Sequence, residues 1–127
     1  MADALKFVDL AVRLEWAAIA VAALAFYAMA GFSWWLFAVL ILAPDVSMLG
    51  YLAGPRVGAI AYNALHILIV PVLLAVAGNL FGNVMVTAIA LIWTAHIAID
   101  RALGYGLKLS SGFQDTHLGR IGRQEGS

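Results

Sequence analysis

Val57 to Ala77, the stretch that decides the fold, reads VGAIAYNALHILIVPVLLAVA, an apolar run interrupted by Asn63 and His66. A helix needs roughly 20 apolar residues to cross the hydrocarbon core of a bilayer, and this run has that length. An ionisable side chain at such a depth is costly unless it is paired, hydrated or bound to something. The stretch therefore predicts a transmembrane helix that carries a functional group at His66.

The composition of the whole chain indicates the same class of protein. Of its 127 residues, 65% are hydrophobic and 11% are charged, whereas a soluble domain is about 45–50% apolar and about 25% charged. We therefore expect an integral membrane protein. The absence of cysteine excludes disulfides and thiolate metal sites. Because the net charge is zero and no basic run occurs, no nucleic-acid partner is expected.

Four apolar segments are long enough to span a membrane, and they cover residues 8–30, 33–52, 57–77 and 83–103. The first and second segments, and likewise the third and fourth, are joined by short turns, which favours antiparallel neighbours. A polar tail follows at residues 104–127. The sequence thus predicts one all-α domain over residues 1–127, a four-helix transmembrane bundle with a tail. Pro44 predicts a kink in the second helix, since proline removes a helical hydrogen bond.

The cations predict the orientation of the bundle. They lie near the N-terminus, between the second and third segments, and after the fourth, at Lys6, Arg13, Arg56, Arg101, Lys108, Arg120 and Arg123. The two remaining turns contain neither lysine nor arginine. The positive-inside rule therefore predicts that both termini and the middle loop are cytoplasmic.

This topology brings ionisable groups from all four helices to the cytoplasmic half of the membrane. His96 and Asp100 are four residues apart and so share one helix face, as do Asn63 and His66, which are three apart. The tail, which emerges on the same side, adds two more groups. The candidate metal ligands are Asp45, His66, His96, Asp100 and His117. Imidazole and carboxylate without sulfur suit Zn, Fe or Mn, so a divalent transition metal is the predicted cofactor.

Metal-dependent hydrolysis is the leading functional hypothesis. The substrate would be a phosphate or ester of a lipid or other amphiphile at the inner leaflet. Asp115 or Glu15 would act as general base, and Arg56 or Arg101 would steady an anionic group. One alternative is a di-iron-type oxidase. Another is a small proton or cation transporter or channel, for which a homo-oligomer is expected because four helices enclose little space.

Structural roles are the competing interpretation of the same residues. Asn63 and Ser47 are also typical of hydrogen bonds that join transmembrane helices. Glu15 could form a buried ion pair with a nearby arginine, and Asp100 could anchor a helix end at the interface. Asp115 could cap a turn in the tail. A non-catalytic membrane protein thus remains an alternative.

Several blocks of the chain resemble a family of small bacterial membrane proteins catalogued as domain of unknown function 4260. The blocks are Ser33–Phe37, Ala43–Tyr51, Gly54–Gly58, Tyr62–His66, Ala95–Arg101, Gly104–Lys108 and Gly112–Gly119. They occur in order between about Leu14 and Gly122. The resemblance implies a multi-pass protein of the bacterial inner membrane and supplies no activity. In architecture and residue type alone, the chain is also similar to membrane-bound metal-dependent hydrolases.

Overall fold

The computed structural model is a helical bundle and describes residues 2–105, 108–109, 112–116 and 119–120. Its helices form four helical units, which confirms the predicted all-α four-helix bundle. The first unit is α1, the second is α2 with a 3-10 helix, the third is α3 with α4, and the fourth is α5. Their bounds are Ala2–Met29 for α1, Trp34–Leu40 for α2, Ala43–Ala53 for the 3-10 helix, Pro55–His66 for α3, Ile69–Leu80 for α4 and Val84–Ala102 for α5.

Three of these units are long and apolar enough to cross a membrane, namely Trp34–Ala53, Pro55–Leu80 and Val84–Ala102. They coincide with the second, third and fourth predicted segments. The helix α1 covers most of the first predicted segment, and its role as a fourth span stays a prediction. Large apolar side chains such as Trp35, Val39 and Leu52 are exposed on the outside of the bundle. An apolar exterior of this extent is what a lipid-facing surface requires.

The central element is α5, which packs against α1, α4 and α2. Half of its buried positions are alanines, and small residues let transmembrane helices approach closely. Tyr27 of α1 packs with Ala88 and Ile92 of α5 in the apolar core. Because α5 lies among the other helices, the polar groups that it carries are held inside the bundle.

The second unit changes helix type at Pro44. The α-helix α2 ends at Leu40, and the chain continues as a 3-10 helix from Ala43. Proline has no backbone N–H, so α-helical hydrogen bonding cannot run through this position. The predicted kink is therefore present as a break followed by a 3-10 helix, which is unusually long for its type. The 3-10 helix packs closely against α3, since a Cβ added at Gly58 of α3 would collide with the ring of Tyr51.

The third unit is divided as well, a feature that the sequence interpretation of residues 57–77 as one helix did not anticipate. The helix α3 ends at His66, Ile67 is extended, and α4 begins at Ile69. The unit from Pro55 to Leu80 is bent by 36°. Pro71 explains the break, because it cannot donate to the carbonyl group of Ile67 four residues earlier.

The tail contains a small antiparallel sheet, which the sequence did not predict. Its strands are β1, Lys108–Leu109, β2, Gly112–Thr116, and β3, Gly119–Arg120, in the order β1-β2-β3. The backbones of β1 and β2 lie beside α3. The tail thus folds back against the helix that ends at His66.

Candidate metal centre

Four of the five predicted metal ligands come together in the bundle. Asp45 lies near the start of the 3-10 helix, His66 is the last residue of α3, and His96 and Asp100 lie on α5. One donor atom from each lies within 4.8 Å of the others. The two histidines are buried and the two aspartates are partly buried. These four residues, called the His/Asp cluster below, could hold a metal ion.

Three donor atoms of the His/Asp cluster form a nearly equilateral triangle. The Nε2 atoms of His66 and His96 are 3.1 Å apart. Asp45 Oδ1 lies 3.2 Å from the first and 3.1 Å from the second. Asp100 Oδ2 is 3.2 Å from His96 Nε2 and 3.7 Å from His66 Nε2. Asp100 therefore lies beside this triangle and completes a four-donor set.

The partners of the other ring nitrogens determine which way the imidazoles present their lone pairs. Nδ1 of His66 lies 2.8 Å from the carbonyl oxygen of Tyr62, and Nδ1 of His96 lies 2.6 Å from that of Ile41. A carbonyl oxygen only accepts, so each Nδ1 donates its hydrogen. The neutral rings then have unprotonated Nε2 atoms, the form in which histidine binds a metal. When both rings are neutral, these two lone pairs at 3.1 Å repel each other, and a metal ion or a proton between them removes that repulsion.

The break at Pro44 supplies the hydrogen-bond acceptor that orients His96. Ile41 O would be paired with residue 44 in a 3-10 helix, but that residue is proline and has no N–H. The N–H of Asp45, its α-helical partner, donates to Leu42 O instead. His96 Nδ1–H takes the place of these donors. Pro44 thus both positions Asp45 and frees the carbonyl group that fixes the neighbouring imidazole.

The break between α3 and α4 is bridged by two side chains of α5. Trp93 Nε1–H donates to Leu65 O at 2.7 Å. Arg101 donates to His66 O at 2.9 Å and to Tyr105 O at 3.1 Å. Backbone carbonyls released at membrane depth need such partners. Both side chains therefore fix the end of α3 at the position from which His66 enters the His/Asp cluster.

A stacked aromatic ring further restrains His66. The rings of Tyr62 and His66 are one helical turn apart, with centroids 3.7 Å apart and planes 8° from parallel. Tyr62 is itself buried. The His66 ring is thus held by stacking on one face and by a hydrogen bond at Nδ1, so its Nε2 direction is fixed before any ligand binds.

Five of the six separations between the four donor atoms are close to those of a tetrahedral metal site. Zn–N and Zn–O bonds are about 2.0–2.2 Å long, which places tetrahedral ligand atoms about 3.3–3.4 Å apart for bonds of about 2.0–2.1 Å. The five separations given above run from 3.1 to 3.7 Å. Two neutral imidazoles and two carboxylates are also the donor types that Zn, Fe and Mn accept. The residues present therefore fit a divalent transition metal.

Comparison with known proteins gives the family of the chain. Residues 9–121 match the family described as Domain of unknown function (DUF4260). The chain belongs to this family. No curated protein and no solved structure matches it. Membership in DUF4260 confirms the resemblance noted from the sequence blocks and carries no activity with it.

Of the remaining predicted site residues, Glu15, Arg56 and Arg101 lie outside the four-residue His/Asp cluster. Glu15 and Arg56 are exposed, on α1 and at the start of α3 respectively. Arg101 is buried and donates to backbone carbonyl groups. The backbone of Asp115 lies in β2, and His117 lies outside the described residues. The roles predicted for these residues as base, anion partner or ligand stay predictions.

Three residues that support the His/Asp cluster were not predicted from the sequence. Pro71, Tyr62 and Trp93 received no specific role from the apolar pattern. A signal for the first was present, since a proline inside a transmembrane segment releases carbonyl groups that need partners. Tyr62 lies four residues before His66, a spacing that permits stacking. Nothing in the sequence indicated which indole would reach the released carbonyl group.

Proposed function

We propose that this protein is a membrane-embedded metalloenzyme with one metal ion, which hydrolyses a phosphate or ester bond of an amphiphile. The observation that carries the proposal is the triangle of His66 Nε2, His96 Nε2 and Asp45 Oδ1, with separations of 3.1–3.2 Å. Both imidazoles are buried and pre-oriented by backbone carbonyl groups. Groups held in this way are costly in a membrane, and a bound cation offsets that cost.

The roles of the four residues follow from their geometry. Structural zinc sites use four protein ligands, whereas catalytic sites use three and leave one position open. In the proposal His66, His96 and Asp45 hold the ion. Asp100 is the general base, since its carboxylate lies beside the triangle and at its longest separation, 3.7 Å, from His66. It thereby takes the role that the sequence suggested for Glu15 or Asp115.

The proposed reaction is the addition of water to a phosphorus or carbonyl carbon atom. A divalent ion supplies polarisation of the electrophile and a more nucleophilic water at neutral pH. Asp100 accepts the proton that the attacking water loses, the bond to the leaving-group oxygen breaks, and Asp100 passes the proton to that oxygen, which departs as an alcohol. An amphiphile suits the site because a polar cluster lies there inside an otherwise apolar bundle, in the half that the cytoplasmic ends of the segments share. From the cation distribution we propose that this half faces the cytoplasm.

Iron chemistry is a second candidate because the triangle has the composition of a 2-His-1-carboxylate site. Such sites with open positions bind non-haem Fe(II) in oxygenases. A di-iron centre has less support, since di-iron carboxylate bundles use four glutamates and two histidines. The described residues offer two carboxylates at the His/Asp cluster. Metal identity decides between hydrolysis and oxygen chemistry.

Elemental analysis and hydrolysis assays of the purified full chain in detergent test the proposal together. We expect about one transition-metal ion per chain and turnover of p-nitrophenyl phosphate or p-nitrophenyl butyrate. Asp100→Asn should retain the metal and lose about 10²–10⁴-fold in rate, the usual contribution of a general base. The control, Asp9→Asn, changes an exposed carboxylate of α1 and should leave both unchanged. Failure to bind Zn, Fe or Mn would overturn the proposal and favour a proton shared between the two imidazoles.

A further inference from the structure

An apolar cavity of about 220 Å³ lies between the second helical unit, α3 and α5. Its wall is formed by Leu40, Pro44, Leu65, Ile89, Ile92 and Trp93. The one polar group among these side chains, the indole N–H, already donates to Leu65 O. Trp93 therefore presents an apolar surface to the cavity, which suits hydrocarbon.

Two residues of the cavity wall are sequence neighbours of residues of the His/Asp cluster. Pro44 precedes Asp45, and Leu65 precedes His66. On α5 the wall residues Ile89, Ile92 and Trp93 share one face with His96, because they lie three to seven residues before it. At a rise of about 1.5 Å per residue, the cavity wall extends along α5 for about 5–10 Å from the level of His96. The cavity wall therefore begins about one turn of α5 from the cluster, a distance that one elongated molecule spans.

We infer that this cavity binds the hydrocarbon portion of the amphiphile whose phosphate or ester group lies at the His/Asp cluster. The inference rests on the proposed function and adds to it a binding site for the apolar part of the substrate. An apolar cavity of about 150 Å³ binds benzene. The volume of 220 Å³ thus accommodates an aromatic ring or a short alkyl segment.

The position of Ala43 indicates how such a molecule enters. Ala43 contributes to the cavity wall and is exposed on the outside of the bundle. The cavity therefore opens toward the lipid-facing surface, and a chain longer than the cavity continues into the bilayer. In this arrangement the phosphate or ester group stays at the cluster. The cavity selects among substrates by the hydrocarbon segment attached to that group.

Photolabelling of the full chain with a decyl phosphate that carries a diazirine on the fourth carbon tests the inference. Labelled peptides are mapped by mass spectrometry, and metal content is measured in the same samples. We expect labels on Leu65, Ile89 and Ile92. Ile89→Phe fills the cavity and should reduce this labelling severalfold. The control, Ile60→Phe, makes the same change at a position that is 63% exposed and should leave it unchanged.

The possible outcomes distinguish failure of the cavity site from failure of the proposed hydrolysis. Labels spread over lipid-facing positions and unaffected by Ile89→Phe would overturn the cavity site while leaving a measured metal content and hydrolysis intact. Equal labelling by a decane with the same diazirine and no phosphate would also overturn it, because the chain would then bind without its polar group at the cluster. Cavity labelling that requires both the phosphate and the bound metal supports it.

Discussion

His66 and His96 lie on different helices with their Nε2 atoms 3.1 Å apart, and each ring donates its Nδ1–H to a backbone carbonyl group. The two carbonyl groups belong to Tyr62 and Ile41. Both imidazoles thus direct an unprotonated nitrogen toward the same point, where Asp45 adds a carboxylate oxygen. A metal ion at that point, or a proton on one of the rings, stabilises this arrangement.

Asp45→Asn should weaken metal binding far more than Asp9→Asn. Asp45 provides one corner of the donor triangle, and its loss removes a negative charge as well as a ligand. We expect loss of affinity beyond the 10–100-fold that is usual for residues that only orient a ligand. Elemental analysis after gel filtration measures it. Equal metal content in the two variants would contradict the assignment of Asp45 as a ligand.

Metal addition should stabilise the wild-type protein, because the ion binds the folded state. At a free metal concentration about 1,000 times the dissociation constant, the gain in the free energy of unfolding is about 4 kcal/mol. Thermal unfolding in detergent with and without added Zn²⁺ measures this gain. The double variant His66→Gln, His96→Gln should show no such shift. A shift that survives in the double variant would place the metal elsewhere.

Arg101→Gln should lower the stability of the bundle, since Arg101 donates to the carbonyl group of His66 at the end of α3. A buried carbonyl group left without its donor costs about 1–3 kcal/mol. Thermal unfolding measures the change. The matched variant, Arg56→Gln, alters an exposed arginine and should have little effect. If Arg101→Gln unfolded like the wild type while hydrolysis fell, the arginine would instead act on the anionic group, as the sequence suggested.

Trp93→Phe should lower the stability of the protein at the junction of α3 and α4, while the cavity stays apolar. The substitution removes the hydrogen bond to Leu65 O, at a cost of about 1–3 kcal/mol. Trp35 is 83% exposed, so Trp35→Phe serves as the control and should unfold like the wild type. Equal melting temperatures for the two variants would show that Leu65 O finds another partner.

Removal of the tail after Tyr105 tests whether residues 106–127 take part in the site. The backbones of β1 and β2 lie beside α3, so we expect the truncated chain to be less stable. We also expect metal content to fall if Asp115 or His117 reaches the cluster, and Asp115→Ala and His117→Ala made separately should identify which. Unchanged stability and metal content would show that residues 106–127 take no part in the site.

The orientation predicted from the cations can be measured with reporter fusions. Fusions at Ser127 and in the turn between Gly78 and Asn83 should report opposite sides of the membrane, with Ser127 cytoplasmic. An external C-terminus would place the His/Asp cluster near the outer leaflet. The substrate would then have to come from that leaflet.

The sequence by itself determined the class of protein and the helical bundle, and it predicted five metal ligands, four of which the structure brings together. It did so because apolar length and the cost of ionisable groups in lipid are local properties that can be counted along the chain. Pro44 also predicted the break in the second unit, since the missing N–H is a property of the residue itself.

Only the tertiary structure decided which carbonyl groups and side chains would meet. The pairing of His96 with Ile41 O, of Trp93 with Leu65 O and of Arg101 with His66 O joins residues far apart in the chain. Such contacts depend on the rotation and depth of each helix, which close packing at Gly58 and the alanines of α5 fixes in three dimensions. The triangle of donors and the cavity beside it exist because three helical units meet there, and no single segment contains either.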